Sequence, residues 1–175
     1  MTPRTPLLIL LPTLLLGCTE TTPEKGREAV IALRDAPVEG LPVDNIMLLA
    51  TNFNDSDENG YCDTCTVIVY LFSSQSATTT VAVRGEGAFE FILYEGAGRR
   101  LARWSIDQEA AEAGFMKPNA GLGWGYVFSL DLNDVGSDEI PSVDGRLRAS
   151  YFPAEGRPVS TPQTASVVIG PVRTR

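Results

Sequence analysis

The feature that most constrains the fold is a succession of short apolar runs, each closed by Gly, Pro, Asn or Asp before it is long enough to form a typical helix. Such runs suit the strands of an antiparallel sheet. The spacing predicts nine of them, over 28–34, 44–53, 66–72, 78–84, 89–94, 101–106, 126–132, 147–152 and 165–169. Trp124, Tyr126, Phe128, Leu130 and Leu132 put a large apolar side chain at every second position, with Gly125, Ser129 and Asp131 between them and Val127 the exception, which predicts a strand with one buried face. The 66–72 run is apolar or β-branched almost throughout and predicts a central strand covered on both sides. One helix interrupts the pattern at 105–114. Ser105 or Asp107 can cap it, Gln108 completes a Ser-x-x-Gln box, and Gly114 can stop it. The expected fold is all-β: a single antiparallel β-sandwich with one short helix between strands.

The N-terminus has a different character. Arg4 precedes an apolar stretch from Leu7 to Leu16 of about ten residues, half the length needed to cross a bilayer as a helix. Its end, Leu15-Leu16-Gly17-Cys18, resembles a bacterial lipobox. That resemblance implies removal of residues 1–17 and acylation of Cys18, with two or more acyl chains giving stable attachment to a membrane. It implies a lipoprotein of the bacterial cell envelope. Thr19 stands where an inner-membrane retention signal often has Asp, which favours the outer membrane. The polar segment 18–27 then serves as the acylated cysteine and tether, and 28–175 forms one β-sandwich domain, long enough to bury about two thirds of its unfolded surface.

Charge and composition exclude several functions. The chain carries 22 Asp and Glu against 14 Lys and Arg, with no basic run, so nucleic acid is not expected as a partner. The same balance makes the lipid, rather than polybasic contacts, the expected attachment to the membrane. It has no histidine, which removes Ser-His-Asp and Cys-His catalysis, His-ligated zinc and the commonest general base. No Gly-x-Ser-x-Gly elbow occurs, and the carboxylates cluster in turns rather than in separated acid and base positions. An enzyme is not expected.

The most chemically suggestive stretch runs from Asn54 to Asp63, between two strand candidates. It resembles the first half of a calcium loop: Asp55, Asp57 and Asn59 alternate as oxygen ligands, Gly60 permits the turn, Tyr61 offers a carbonyl and Asp63 falls at a later ligand position. The position of the bidentate Glu is held by Thr66, and strands replace the flanking helices. A solvated acidic turn accounts for the same residues. Beside it, Cys62 and Cys65 form a local disulfide, contributing about 2 kcal/mol if closed, or remain two buried thiols. A redox pair would need a helix after the first cysteine, and a strand follows instead.

Gly121, Gly123 and Gly125 lead into a strand rather than a helix, so they allow close backbone approach or a bulge instead of cradling phosphate. Trp104, Trp124, Tyr126 and Tyr151 are expected in the core rather than on a sugar-binding platform, and Arg99, Arg100 and Arg103 as solvated hairpin charges.

Finally, 102–104, 125–130, 147–152 and the turn 154–157 resemble immunoglobulin-like β-sandwich domains of bacterial envelope proteins, over about the last 70 residues. The Cys, Trp, Cys spacing of antibody domains is missing. The expected function is a lipid-anchored, non-catalytic envelope protein with a structural or protein-binding sandwich. The alternative is a calcium-dependent recognition module for glycan or adhesion, and a hydrolase ranks third.

Overall fold

A computed structural model describes residues 30–32, 37–76, 79–96, 98–118 and 123–172. The signal segment 1–17, Cys18 and the tether up to residue 27 lie outside the described residues.

The strands run β1 (Val30–Ala32), β2 (Val38–Glu39), β3 (Asn45–Ala50), β4 (Tyr61–Cys62), β5 (Thr64–Ser76), β6 (Thr79–Arg84), β7 (Gly87–Glu95) and β8 (Arg99–Ile106). After the helix α1 (Gln108–Ala113) come β9 (Phe115–Met116), β10 (Gly125–Asp131), β11 (Val143–Pro153), β12 (Val159–Ser160) and β13 (Ala165–Pro171). They form two sheets, one containing β1, β2, β3, β5, β6, β9 and β10, the other β4, β7, β8, β11, β12 and β13. All nine expected strands are present, and the fold is all-β. The additional strands β2, β4, β9 and β12 are two residues each, too short to carry a periodicity. One expectation is corrected: the sheets are not wholly antiparallel, because β1 and β2 both run parallel to β6.

The inward side chains follow the alternation. Along β10 and just beyond it, Tyr126, Phe128, Leu130 and Leu132 are buried while Ser129 is exposed. They meet Phe89 and Phe91 from β7 of the other sheet, with Phe89 and Phe128 ring centres 5.4 Å apart and Phe91 and Phe128 5.6 Å apart. Leu93, Leu147, Val167 and Ile169 extend the layer between the sheets. Burial on both faces of β5 holds only from Val69 to Ser73, since Thr66 is exposed and Ile68 half-buried.

The helix crosses from β8 in one sheet to β9 in the other. Asp107 caps it, its carboxylate accepting from the Ala110 N–H at 2.9 Å, so Asp107 rather than Ser105 fills the capping position.

β5 organises the first sheet as a fork. One of its edges pairs with β3 over Phe72 to Val67. The other pairs first with β10, over Thr64 to Val69, and then with β6, from Leu71 to Ser76. The handover falls at Tyr70. Gly125, at the start of β10, allows a close approach there, because a Cβ would stand 3.0 Å from the Tyr70 ring and from the Val69 carbonyl oxygen. The close approach expected of the glycine run is therefore found at Gly125.

Candidate functional site

The loop before β5 is built by its own carboxylates. Asp55 accepts from the backbone N–H of Asn59 at 3.2 Å through one oxygen and of Gly60 at 2.9 Å through the other. Asp57 accepts from the Asn59 N–H at 3.1 Å and from the Asn59 side-chain amide at 3.2 Å. Asn59 in turn accepts from the Tyr61 N–H at 2.8 Å and donates to the buried Asp138 at 2.6 Å. These are Asx turns, in which a short carboxylate replaces a peptide carbonyl as the acceptor. They hold Glu58 at φ 63° and Gly60 at φ 91°.

Asp63 has a different partner. It is 1% exposed, and its two oxygens accept from the Ser56 backbone N–H at 2.9 Å and the Ser56 hydroxyl at 2.8 Å. Burial alone would raise its pKa. The hydrogen bonds from Ser56 and Thr64 outweigh it and hold the carboxyl below its ordinary value.

Of Asp55, Asp57, Asn59, Tyr61 and Asp63, the first two carboxylates meet at the Asn59 N–H, whereas Asp63 is bonded to Ser56. Among the described residues no three His, Cys, Asp or Glu side chains converge as a metal-binding group. The calcium-loop spacing and the Asx-turn spacing call for the same residues, and here the carboxylates accept from backbone N–H groups.

Of the two arrangements expected of Cys62 and Cys65, a disulfide or two buried thiols, the structure has free thiols, with Cys62 only half-buried. Cys62 pairs with Gly170 in the second sheet, whereas Cys65 pairs with Leu130 in the first and is fully buried. The Cys65 thiol donates to the Thr51 carbonyl at 3.1 Å. Burial pushes its pKa up to about 11, the hydrogen bonds with Thr51 only partly opposing it. Burial likewise raises Cys62, helped by the negative charges of Asp55 and Asp63. Neither thiol has the electropositive surroundings of a reactive cysteine.

A second candidate opens beside the sheet fork. A cleft of about 830 Å³ is lined by the β2–β3 connection, the β6–β7 turn, Glu112 of α1 and the chain after β11. Tyr151 lines it, its hydroxyl donating to the Glu86 carbonyl at 2.8 Å, and Glu86, Glu112 and Glu155 supply carboxylates. Arg84, the only cation of the lining, pairs with Glu39 at 3.4 Å. Its guanidinium lies 4.9 Å above the centre of the Phe115 ring, and Phe115 stacks on Trp124 with centres 5.6 Å apart. The lining has no Ser, Thr, Cys or Lys, and its ionisable groups are the carboxylates, Arg84 and the Tyr151 phenol.

Three of the four aromatic side chains expected in the core are there: Trp104, Tyr126 and Tyr151 are buried. Trp124 is not; it precedes β10 and remains 36% exposed on its Phe115 stack. The Arg84–Phe115–Trp124 group escaped sequence reasoning because its members lie on three separate elements.

No protein-family model, curated protein or solved structure matches this chain. Among the described residues no helix is long and apolar enough to cross a membrane.

Proposed function

We propose that the chain is a lipid-anchored, non-catalytic protein of the bacterial cell envelope, whose body makes structural or binding contacts with another envelope component. The observation that carries this reading is the sequence Leu15-Leu16-Gly17-Cys18 behind its short apolar run. The absence of histidine from the sequence supports the non-catalytic part, since it removes Ser-His-Asp and Cys-His chemistry. An outer-membrane address follows from Thr19 after the cysteine. The immunoglobulin-like character of the sandwich belongs to the same proposal, supported by β10, β11 and β13, which supply Phe128, Leu147 and Ile169 to one core.

Labelling with an alkyne-bearing palmitate in a bacterial host tests it. The full chain incorporates the label and sediments with membranes, and Cys18→Ser loses the label and is released. An unlabelled wild type, or a Cys18→Ser variant that keeps the label, overturns the anchor.

A further inference from the structure

The outer face of the second sheet reverses the charge of the rest of the protein. In an antiparallel sheet, directly paired residues share a face. Arg100 on β8 pairs with Tyr94 on β7, Tyr94 with Arg146 on β11, and Arg146 with Ser166 on β13. In the adjacent row Arg103, Ile92 and Arg148 stand side by side. The inward neighbours Leu93, Ala102, Leu147 and Ala149 are buried, so all four arginines project outward, and all four are exposed.

Half of the eight Lys and Arg among the described residues are therefore on one face. Glu90 opposes only Arg103, accepting from its Nε at 2.6 Å, and Asp144 sits at the far margin beside Val168. Among the described residues Arg100, Arg146 and Arg148 have no ion-pair partner. The exposed Phe152 and Val168 continue the apolar content of the face beyond Ile92 and Tyr94.

We infer that this face, with Arg100, Arg103, Arg146 and Arg148 set around Tyr94 and Ile92, is a docking surface for the anionic headgroups of a lipid bilayer. Four guanidinium groups match phosphate by charge and by their paired donors. The interleaved Tyr, Ile, Phe and Val favour a bilayer over a soluble polyanion, because an interface takes up apolar side chains that a polyanion leaves in water. The segment from Cys18 to Val30 spans at most about 40 Å, so a lipid-anchored body stays within reach of the surface. This deepens the membrane part of the proposed function, but the contact needs no acyl chain.

The test uses the chain from residue 18 onward, which holds every described residue, with Cys18→Ser to remove acylation. It is sedimented with vesicles of phosphatidylcholine alone and of phosphatidylcholine mixed with phosphatidylglycerol. It binds the anionic vesicles, and raising salt from about 0.05 M to about 0.5 M releases it. Arg146→Gln and Arg148→Gln each lower partitioning about fivefold, and together about twentyfold. Arg157→Gln, in an exposed turn off the face, changes nothing. Far-UV circular dichroism checks the fold, and Arg100→Gln on β8 serves if the double variant unfolds. Equal binding to neutral vesicles, no binding at low salt, or indifference to the arginines overturns the inference. So does retention by a soluble polyuronate without retention by vesicles. Because Cys18 is already replaced, these outcomes are independent of whether the chain is acylated.

Discussion

The Tyr126 hydroxyl donates to the Gly85 carbonyl at 2.7 Å and accepts from the Gly85 N–H at 3.0 Å, so one side chain satisfies both backbone groups of the residue just after β6. Tyr126 belongs to β10, and the bond pair ties together the two strands that share one edge of β5. Tyr126→Phe leaves both Gly85 groups without that partner and should cost about 2 kcal/mol in urea unfolding. Gly85→Ala acts on the same joint from the other side, since its Cβ would fall on the Tyr151 hydroxyl and stand 3.2 Å from Leu71 Cδ1. It should cost about 1–3 kcal/mol. Wild-type stability in both variants would show that the fork is held elsewhere.

Asp63 should be the acid-sensitive point of the loop. Its folded pKa is lowered, so its stabilisation is complete above the unfolded value near pH 4 and is lost as pH falls through the folded value. Asp63→Asn puts an amide where Ser56 needs an acceptor and should cost about 2 kcal/mol at neutral pH. The variant should lose less stability than wild type between about pH 5 and pH 3. Parallel curves would remove Asp63 from that role.

Most strands were legible because alternation is a local signal: Tyr126, Phe128, Leu130 and Leu132 announce their buried face with no knowledge of their neighbours. The acidic loop was legible as a turn but not in its bonding, because ligand spacing and Asx-turn spacing coincide in Asp55, Asp57 and Asn59. The parallel placement of β1 and β2 depends on β6, nearly 50 residues after β1, and leaves no local trace. The arginine face was invisible for the same reason. Arg100 and Arg146 are separated in sequence and meet only through the registers on either side of Tyr94.

If the loop is held by its own hydrogen bonds rather than by a cation, calcium should not change its stability. The unfolding midpoint should be the same in excess Ca²⁺ and in chelator. A ligand present at 100 times its Kd would add about 2.7 kcal/mol, so a clear calcium-dependent rise, abolished in Asp55→Asn, would restore the recognition reading.

Alkaline pH should loosen the fork. Burial raises the Tyr151 phenol to about 12 and raises Tyr126 as well. A raised folded pKa means that stability is complete below the unfolded value near pH 10 and falls as pH climbs towards about 12. Unfolding followed at about pH 9 and about pH 11 should show this loss, and Tyr151→Phe should blunt it. An unchanged slope in that variant would locate the alkaline loss in another group.

The two cysteines should separate under alkylation. Cys65 is fully buried between the sheets, its thiol bonded to the Thr51 carbonyl and its pKa raised to about 11, so at pH 8 it presents almost no thiolate and no access. Cys62 lies half-buried on a two-residue strand, and its pKa is raised as well. Iodoacetamide should therefore modify Cys62 slowly and Cys65 only at the rate of global unfolding, which urea accelerates. Asp55→Asn removes one of the negative charges that raise the Cys62 pKa and should quicken its reaction while leaving Cys65 unchanged. Equal rates at both positions under native conditions would mean that β5 opens locally, and would contradict the burial on which the core rests.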